Sequence, residues 1–263
     1  MFQRLYAMIN RYVILVIGSG PRMMSIFYWP SIQIILWGFF SNFLLTNDLA
    51  NSINSISFLL SAIILWDVLF RAQLGLSMTF FEELWSRNLG HLLITPIKIS
   101  EIIFSLVMTS FLRTSLGLIP AIFVANYYFD LQFFELGLYL IFFLLNLVFI
   151  GWSIGFVVSG LVLRYGQAFE ELAWAFIFVL LPFSCVYYPL EALPGILQIL
   201  ALIFPPAHIF EGMRQIIDNG IISINELLIS FLLNVFYFLL SIFMFNKMIH
   251  SCRKKGNLFN LGE

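Results

Sequence analysis

The sequence predicts an all-α integral membrane protein, and three observations carry that prediction. Of its 263 residues, 61% are hydrophobic and only 10% charged, with a mean hydropathy of +0.98; soluble domains carry about 25% charged residues. Six segments reach the roughly 20 mostly apolar residues that a spanning helix needs, near 23–45, 53–74, 101–125, 134–162, 170–188 and 225–247. Basic residues gather at both ends: Arg4, Arg11 and Arg22 precede the first span, and Lys247, Arg253, Lys254 and Lys255 follow the last. Lys and Arg collect in short cytoplasmic loops, so both termini read as cytoplasmic and the crossings as even in number.

Residues 1–20, MFQRLYAMINRYVILVIGSG, place Arg4 and Arg11 seven apart, as are Gln3 and Asn10. Phe2, Leu5, Ile9, Val13 and Val16 line the other side at helical spacing. This predicts an amphipathic helix in the membrane interface, with a cleaved signal segment as the alternative. Between spans two and three, residues 78–93 predict a cytoplasmic helix. Phe81, Leu84, Trp85 and Leu92 form its apolar side, and Glu83, Arg87 and His91 recur every four residues on another. Glu83 ahead of Arg87 is the favourable order for a helical ion pair. Thr95-Pro96 ends the helix, because the residue before proline leaves helical geometry. One reading is a solvated connector anchored by Phe81 and Trp85. The other is a docking helix that offers Glu82, Glu83, Trp85, Arg87 and His91 to a soluble partner, since Trp and Arg are favoured at interface hot spots.

Ionisable residues inside spans are costly and face protein or water. Asp67 and Arg71 are four apart near the cytoplasmic end of span two and read as a local ion pair. Arg113, deeper in span three, either snorkels, pairs with Asp67, or faces a substrate path. In span four, Gly151 and Gly155 permit close helix approach, within the chain or at a homodimer seam. Glu170 and Glu171 open span five, where a helix N-terminus favours acids; the alternative is a second cytoplasmic contact with a partner.

Residues 189–220 predict an outer re-entrant hairpin. ILQILALIFPPAHIF at 196–210 is too short to span and is broken by Pro205-Pro206. Counting it as a crossing would place KMIHSCRKK outside. Its candidate gate residues are Pro189, Glu191, Pro194, Pro205, Pro206, Glu211 and Arg214. His208, Glu211 and Arg214 share a helical face. His-x-x-Glu offers two metal ligands, but His91 and His250 fall on the opposite membrane face, so the motif reads as a polar rim and no metal centre is expected. The outer loops are mainly acidic, with Asp48, Asp130, Glu135, Glu191, Asp218 and Glu226; Arg87, Lys98 and Arg164 lie inside.

A net charge of −1 gives no reason to expect nucleic acid. Cys185 and Cys252, on opposite faces, form no disulfide. The chain has no G-x-x-x-x-G-K-[ST], so it cannot cradle nucleotide phosphates by that route. An intramembrane lipid-modifying enzyme would need clustered acids, a metal or a catalytic histidine; the acids are scattered, and no catalytic residue stands out. An ion-coupled secondary carrier would show inverted repeats, and none is evident.

Two stretches resemble one family. The acidic, aromatic and basic residues followed by LGHLLITPIKISEII look like the loop before the third span of ABC-2 type export permeases. VYYPLEALPGILQILALIFPPAHIFEGMRQII, residues 186–217, looks like that family's outer signature: Pro, an acid, Leu-Pro, an apolar run, Pro, then Glu-x-x-Arg. Pro-Pro-Ala-His at 205–208 departs from the commoner Asn-Pro. The resemblance implies a half-transporter in a bacterial cytoplasmic membrane, paired as a homodimer or with a related permease. It also implies a separate ATP-binding-cassette ATPase that binds ATP and Mg, while this chain binds no cofactor. The expected activity is export of an amphipathic or hydrophobic substrate: a drug, a lipid or a lipid-linked glycan. The carrier and the enzyme stand as alternatives.

Overall fold

The computed structural model describes residues 2–46, 53–129, 137–220 and 223–255; Asp48, Asp130 and Glu135 lie outside them. Among the described residues are ten α-helices and no strand. These are α1 (Phe2–Ile17), α2 (Gly20–Thr46), α3 (Ile53–Trp85), α4 (Leu89–Ile94), α5 (Ile99–Phe129), α6 (Leu138–Tyr165), α7 (Leu172–Leu180), α8 (Gly195–Leu202), α9 (Pro205–Asn219) and α10 (Ile224–Lys255). Five of them, α2, α3, α5, α6 and α10, are long and apolar enough to cross a membrane. They match five of the six expected spans.

The bundle is organised around α3. Ala62, Ile63, Ile64 and Leu65 point in four successive directions, about 100° apart, and all four are buried. A helix apolar on every side must be enclosed, and α2, α5, α6, α7 and α9 enclose this one. The closest approach is to α6. A Cβ added to Gly151 would stand 2.7 Å from the Leu69 carbonyl oxygen and 2.9 Å from the Ala72 Cβ. One added to Gly155 would stand 3.2 Å from the Gln73 carbonyl oxygen. The glycine pair therefore serves α3–α6 packing within the chain. Ser110 of α5 donates to the Ala72 carbonyl at 2.7 Å and accepts from the Trp152 indole at 3.0 Å, joining α3, α5 and α6. On the far side of α6, Asn234 donates to Asn146 at 2.8 Å, and Phe238 and Phe245 pack on Phe149 and Phe156.

The expected span at 170–188 is not one α-helix. A 3-10 turn (Gln167–Glu171) leads into α7, and a second 3-10 turn (Leu181–Phe183) follows it. Pro182 cannot continue the α-helical hydrogen bonding. The nine residues of α7 cover only about 13 Å, but 3-10 turns rise by about 2 Å per residue, and the whole unit runs antiparallel beside α3. Glu170 lies at Trp85, Trp174 and Phe178 at Phe70, and Cys185 at Arg214, which stacks on Phe58.

Helices α8 and α9 meet at 99°, with Pro205 and Pro206 in the first turn of α9, where missing amide hydrogens cost nothing. Both arms of this hairpin stay at one end of the bundle. The Leu190 amide donates to Glu211 at 2.7 Å, and Glu226, at the start of α10, meets His208. Helices α1 and α10 both reach the 93–96 segment at the opposite end: Arg4 donates to the Pro96 carbonyl and Arg253 to the Leu93 carbonyl. Cys252 is beside Leu163 at that end, far from Cys185.

Overpacking a tight core costs about 1–3 kcal/mol. Gly151→Val is therefore expected to lower the thermal midpoint of the detergent-solubilised protein. Gly195→Ala, where a Cβ meets nothing within 4 Å, is expected to leave it unchanged.

Candidate functional site

The stretch 78–93 is not a separate docking helix. Residues up to Trp85 continue α3, and the chain then turns over Ser86–Asn88 before the six-residue α4. Arg87 has φ 53°, its amide bonds to the Leu84 carbonyl, and the Asn88 amide bonds to the Glu83 carbonyl. This is a Schellman ending with an arginine in the left-handed position that glycine usually takes. Arg87 is thereby outside the helical register, and the expected Glu83–Arg87 pair does not form. Phe81, Leu84 and Leu92 face the core instead of a partner.

The glutamates are used within the chain. Arg11 faces the buried Glu83 with both guanidinium nitrogens, at 2.8 and 3.1 Å, and Asn88 donates to the same carboxylate at 2.7 Å. Arg22 is 3.4 Å from Glu82, and Arg4 is 3.2 Å from Glu101. Glu101 also accepts the Lys98 amide at 2.8 Å, closing the first turn of α5. The basic face of α1 thus turns inward, with Met8, Tyr12 and Val16 buried beneath it, while Phe2 is exposed. Two buried carboxylates, Glu101 and Glu83, draw Arg4 and Arg11 inward, while Gln3 and Asn10, expected on the same side, stay exposed.

Among the groups exposed at this end, Trp85, Arg87 and His91 lie on one segment, and Glu171, beside the half-buried Glu170, lies on another. The Trp85 indole donates to Glu170 at 2.7 Å and joins them into one face.

Asp67 and Arg71 form the expected ion pair. Because α3 runs on to Trp85, the pair lies near the middle of the helix and not at its end. Arg113 does not pair with Asp67; it donates to the Thr79 hydroxyl at 3.1 Å. All three residues line a single cavity of about 450 Å³ between α2, α3, α5 and α7. Ser25, Ile26, Trp29 and Gln33 form one wall, and Phe70, Leu74, Gly75 and Met78 another; Trp174 and Phe178 complete it. The aromatic members carried no sequence signal, since nothing local separates them from the other Phe and Trp residues of the chain.

In the hairpin, Glu211 holds Arg214, and Arg214 donates to the Cys185 carbonyl at 3.1 Å while stacking 4.4 Å over the Phe58 ring. Pro205 and Pro206 are buried beside them; Pro194 precedes α8, Pro189 precedes a short 3-10 turn (Leu190–Ala192), and Glu191 is exposed. His208 and Glu211 do not converge. Instead His208 Nδ1 lies 2.6 Å from Glu226 and Nε2 lies 2.9 Å from the Leu202 carbonyl oxygen. Both ring nitrogens face acceptors, so the imidazolium, with two N–H groups, satisfies both contacts. It ties α8, α9 and α10 together. Burial alone would lower its pKa, but the Glu226 bond, the Leu202 bond and the carboxylate charge together raise it above the ordinary histidine value.

The family model described as ABC-2 type transporter matches residues 5–217. Comparison with curated proteins finds no match.

Arg11→Glu is expected to cost about 1–3 kcal/mol by leaving Glu83 without its charged partner. It should also expose residues 17–20 to limited proteolysis, and adding Glu83→Arg should restore both readouts. The His208 contribution is complete below the unfolded-state pKa, about 6.5, and is lost as pH rises through the raised folded value. Between about pH 6 and pH 9, the thermal midpoint should fall further for the wild type than for His208→Gln.

Proposed function

We propose, from the premise that the chain belongs to the ABC-2 type transporter family, that it exports an amphipathic substrate on energy from a separate ATPase. Membership makes it the membrane-spanning permease component of such a transporter. The observation that supports ATPase coupling is the joined face of Trp85, Arg87, His91, Glu170 and Glu171. Its two segments lead directly into α3 and α7, so force applied there reaches the central helix and the crossing beside it together. Motion of rigid elements about packed interfaces is how such steps are transmitted.

This face is assigned to the cytoplasm. Exposed Arg87, Arg164, Arg253 and Lys254 stand at the same end of the bundle, as the positive-inside tendency requires. The α8–α9 hairpin then lies outside, where Glu211, Arg214 and the His208–Glu226 pair hold it as a gate. A homodimer, or a pair with a related permease, in the cytoplasmic membrane of a bacterium would complete the path. ATP and Mg would be held by the ATPase.

Affinity purification of the tagged chain from its native membrane, in mild detergent, tests the coupling. An ATP-hydrolysing subunit should copurify. Trp85→Ala with Arg87→Glu should weaken that association at least about tenfold, the scale of an interface hot spot, without lowering the thermal midpoint. Recovery of the chain with no ATPase, or unchanged association of the double variant, would sink the proposal.

A further inference from the structure

The cavity among α2, α3, α5 and α7 carries an unbalanced charge. Arg71 has a charged partner: its Nε bonds Asp67, its Nη1 donates to the Ile26 carbonyl at 3.3 Å, and Gly117 leaves room for its side chain. Arg113 has only the Thr79 hydroxyl as a hydrogen-bond partner, with no carboxylate within 4 Å among the described residues. Glu82 is near enough to act on it electrostatically but is committed to Arg22. Locally, Arg22, Arg71 and Arg113 stand against Asp67 and Glu82, which leaves one positive charge in excess. A cation in a span calls for an anion or water to compensate it, and a guanidinium fork suits phosphate or carboxylate oxygens.

The exposed part of the cavity lining is mainly aromatic, with Ser25 its polar member. Trp29, Trp174 and Phe178 are 60, 44 and 60% exposed, on the flank of the bundle between α2 and α7. A ligand entering there comes from the lipid phase and passes three rings before it meets the arginine. About 450 Å³ falls within the range of small-molecule sites. It accommodates a headgroup and the first part of a chain, leaving the remainder among lipids.

We propose that this cavity binds an amphiphile with an anionic, phosphate- or carboxylate-bearing headgroup, Arg113 engaging the anion and the chain leaving between α2 and α7. That this ligand is the transported substrate rests on the function proposed above; its binding does not. The test uses the full-length protein in phosphatidylcholine nanodiscs and compares dioctanoyl phosphatidate, dioctanoylglycerol and inorganic phosphate. The phosphatidate should bind at least about tenfold more tightly than either, the scale of a charge-assisted hydrogen bond. Arg113→Gln should abolish that preference and Arg113→Lys should keep it. Equal binding of the neutral glyceride, or a preference that survives Arg113→Gln, overturns the proposal. Inorganic phosphate competing as well as the amphiphile also overturns it, by assigning the site to a free anion. Transport by the ATPase-containing complex is measured separately. Selective binding without transport sinks the export reading alone, and transport without charge-selective binding sinks this site alone.

Discussion

A helix with no lipid-facing side has to be enclosed, and the rest of the structure follows from enclosing α3. Its neighbours approach so closely that its own backbone becomes part of the interface. Gly151 rests on the Leu69 carbonyl, and Ser110 bonds that of Ala72. Because α5, α6 and α7 are seated on this one axis, residues distant in sequence share each level of the bundle. Trp85 and Glu170 mark one level, Phe70 with Trp174 and Phe178 a second, and Phe58 with Arg214 a third. The polar features are placed by the same axis. The paired glutamates are at its tip, the Asp67–Arg71 pair and the cavity at its middle, and the hairpin latch at its start.

Much of this was legible in the sequence, for reasons that are local. Five long apolar runs became five long helices, Thr95-Pro96 ended α4, and Pro205-Pro206 opened α9 at the bend. Asp67 and Arg71 paired because four residues is one helical turn. The failures are equally physical. Glu82 and Glu83 looked like a cytoplasmic loop because their partners, Arg22 and Arg11, lie far away in the chain, and a long-range ion pair leaves no local trace. With those charges neutralised, α3 could extend to Trp85. Arg87 looked helical because glycine, the usual marker of a left-handed helix ending, is absent there.

One clue was present but carried no direction. The seven-residue spacing of Arg4 and Arg11 defines a basic face, and spacing alone does not say whether that face meets solvent or carboxylates. Glu83 and Glu101, on α3 and α5, decide it. The expected span at 170–188 is broken into shorter pieces for another reason. Its composition is apolar enough, but Pro182 and the flanking 3-10 turns alter the rise per residue without altering hydropathy.

The internal pairing of Glu82, Glu83 and Glu101 has a consequence for recognition. The surface left at that end of the bundle holds Arg87, Lys98, Arg164, Arg253 and Lys254 against Glu170 and Glu171, an excess of positive charge. The field of such a surface reaches a Debye length, about 8 Å at physiological ionic strength. A protein with an acidic face is drawn to it, so its encounter rate should fall as salt rises, while the indole of Trp85 and the turn around Arg87 set the fit by shape. The six charged groups just beneath cancel in pairs and add nothing to that attraction.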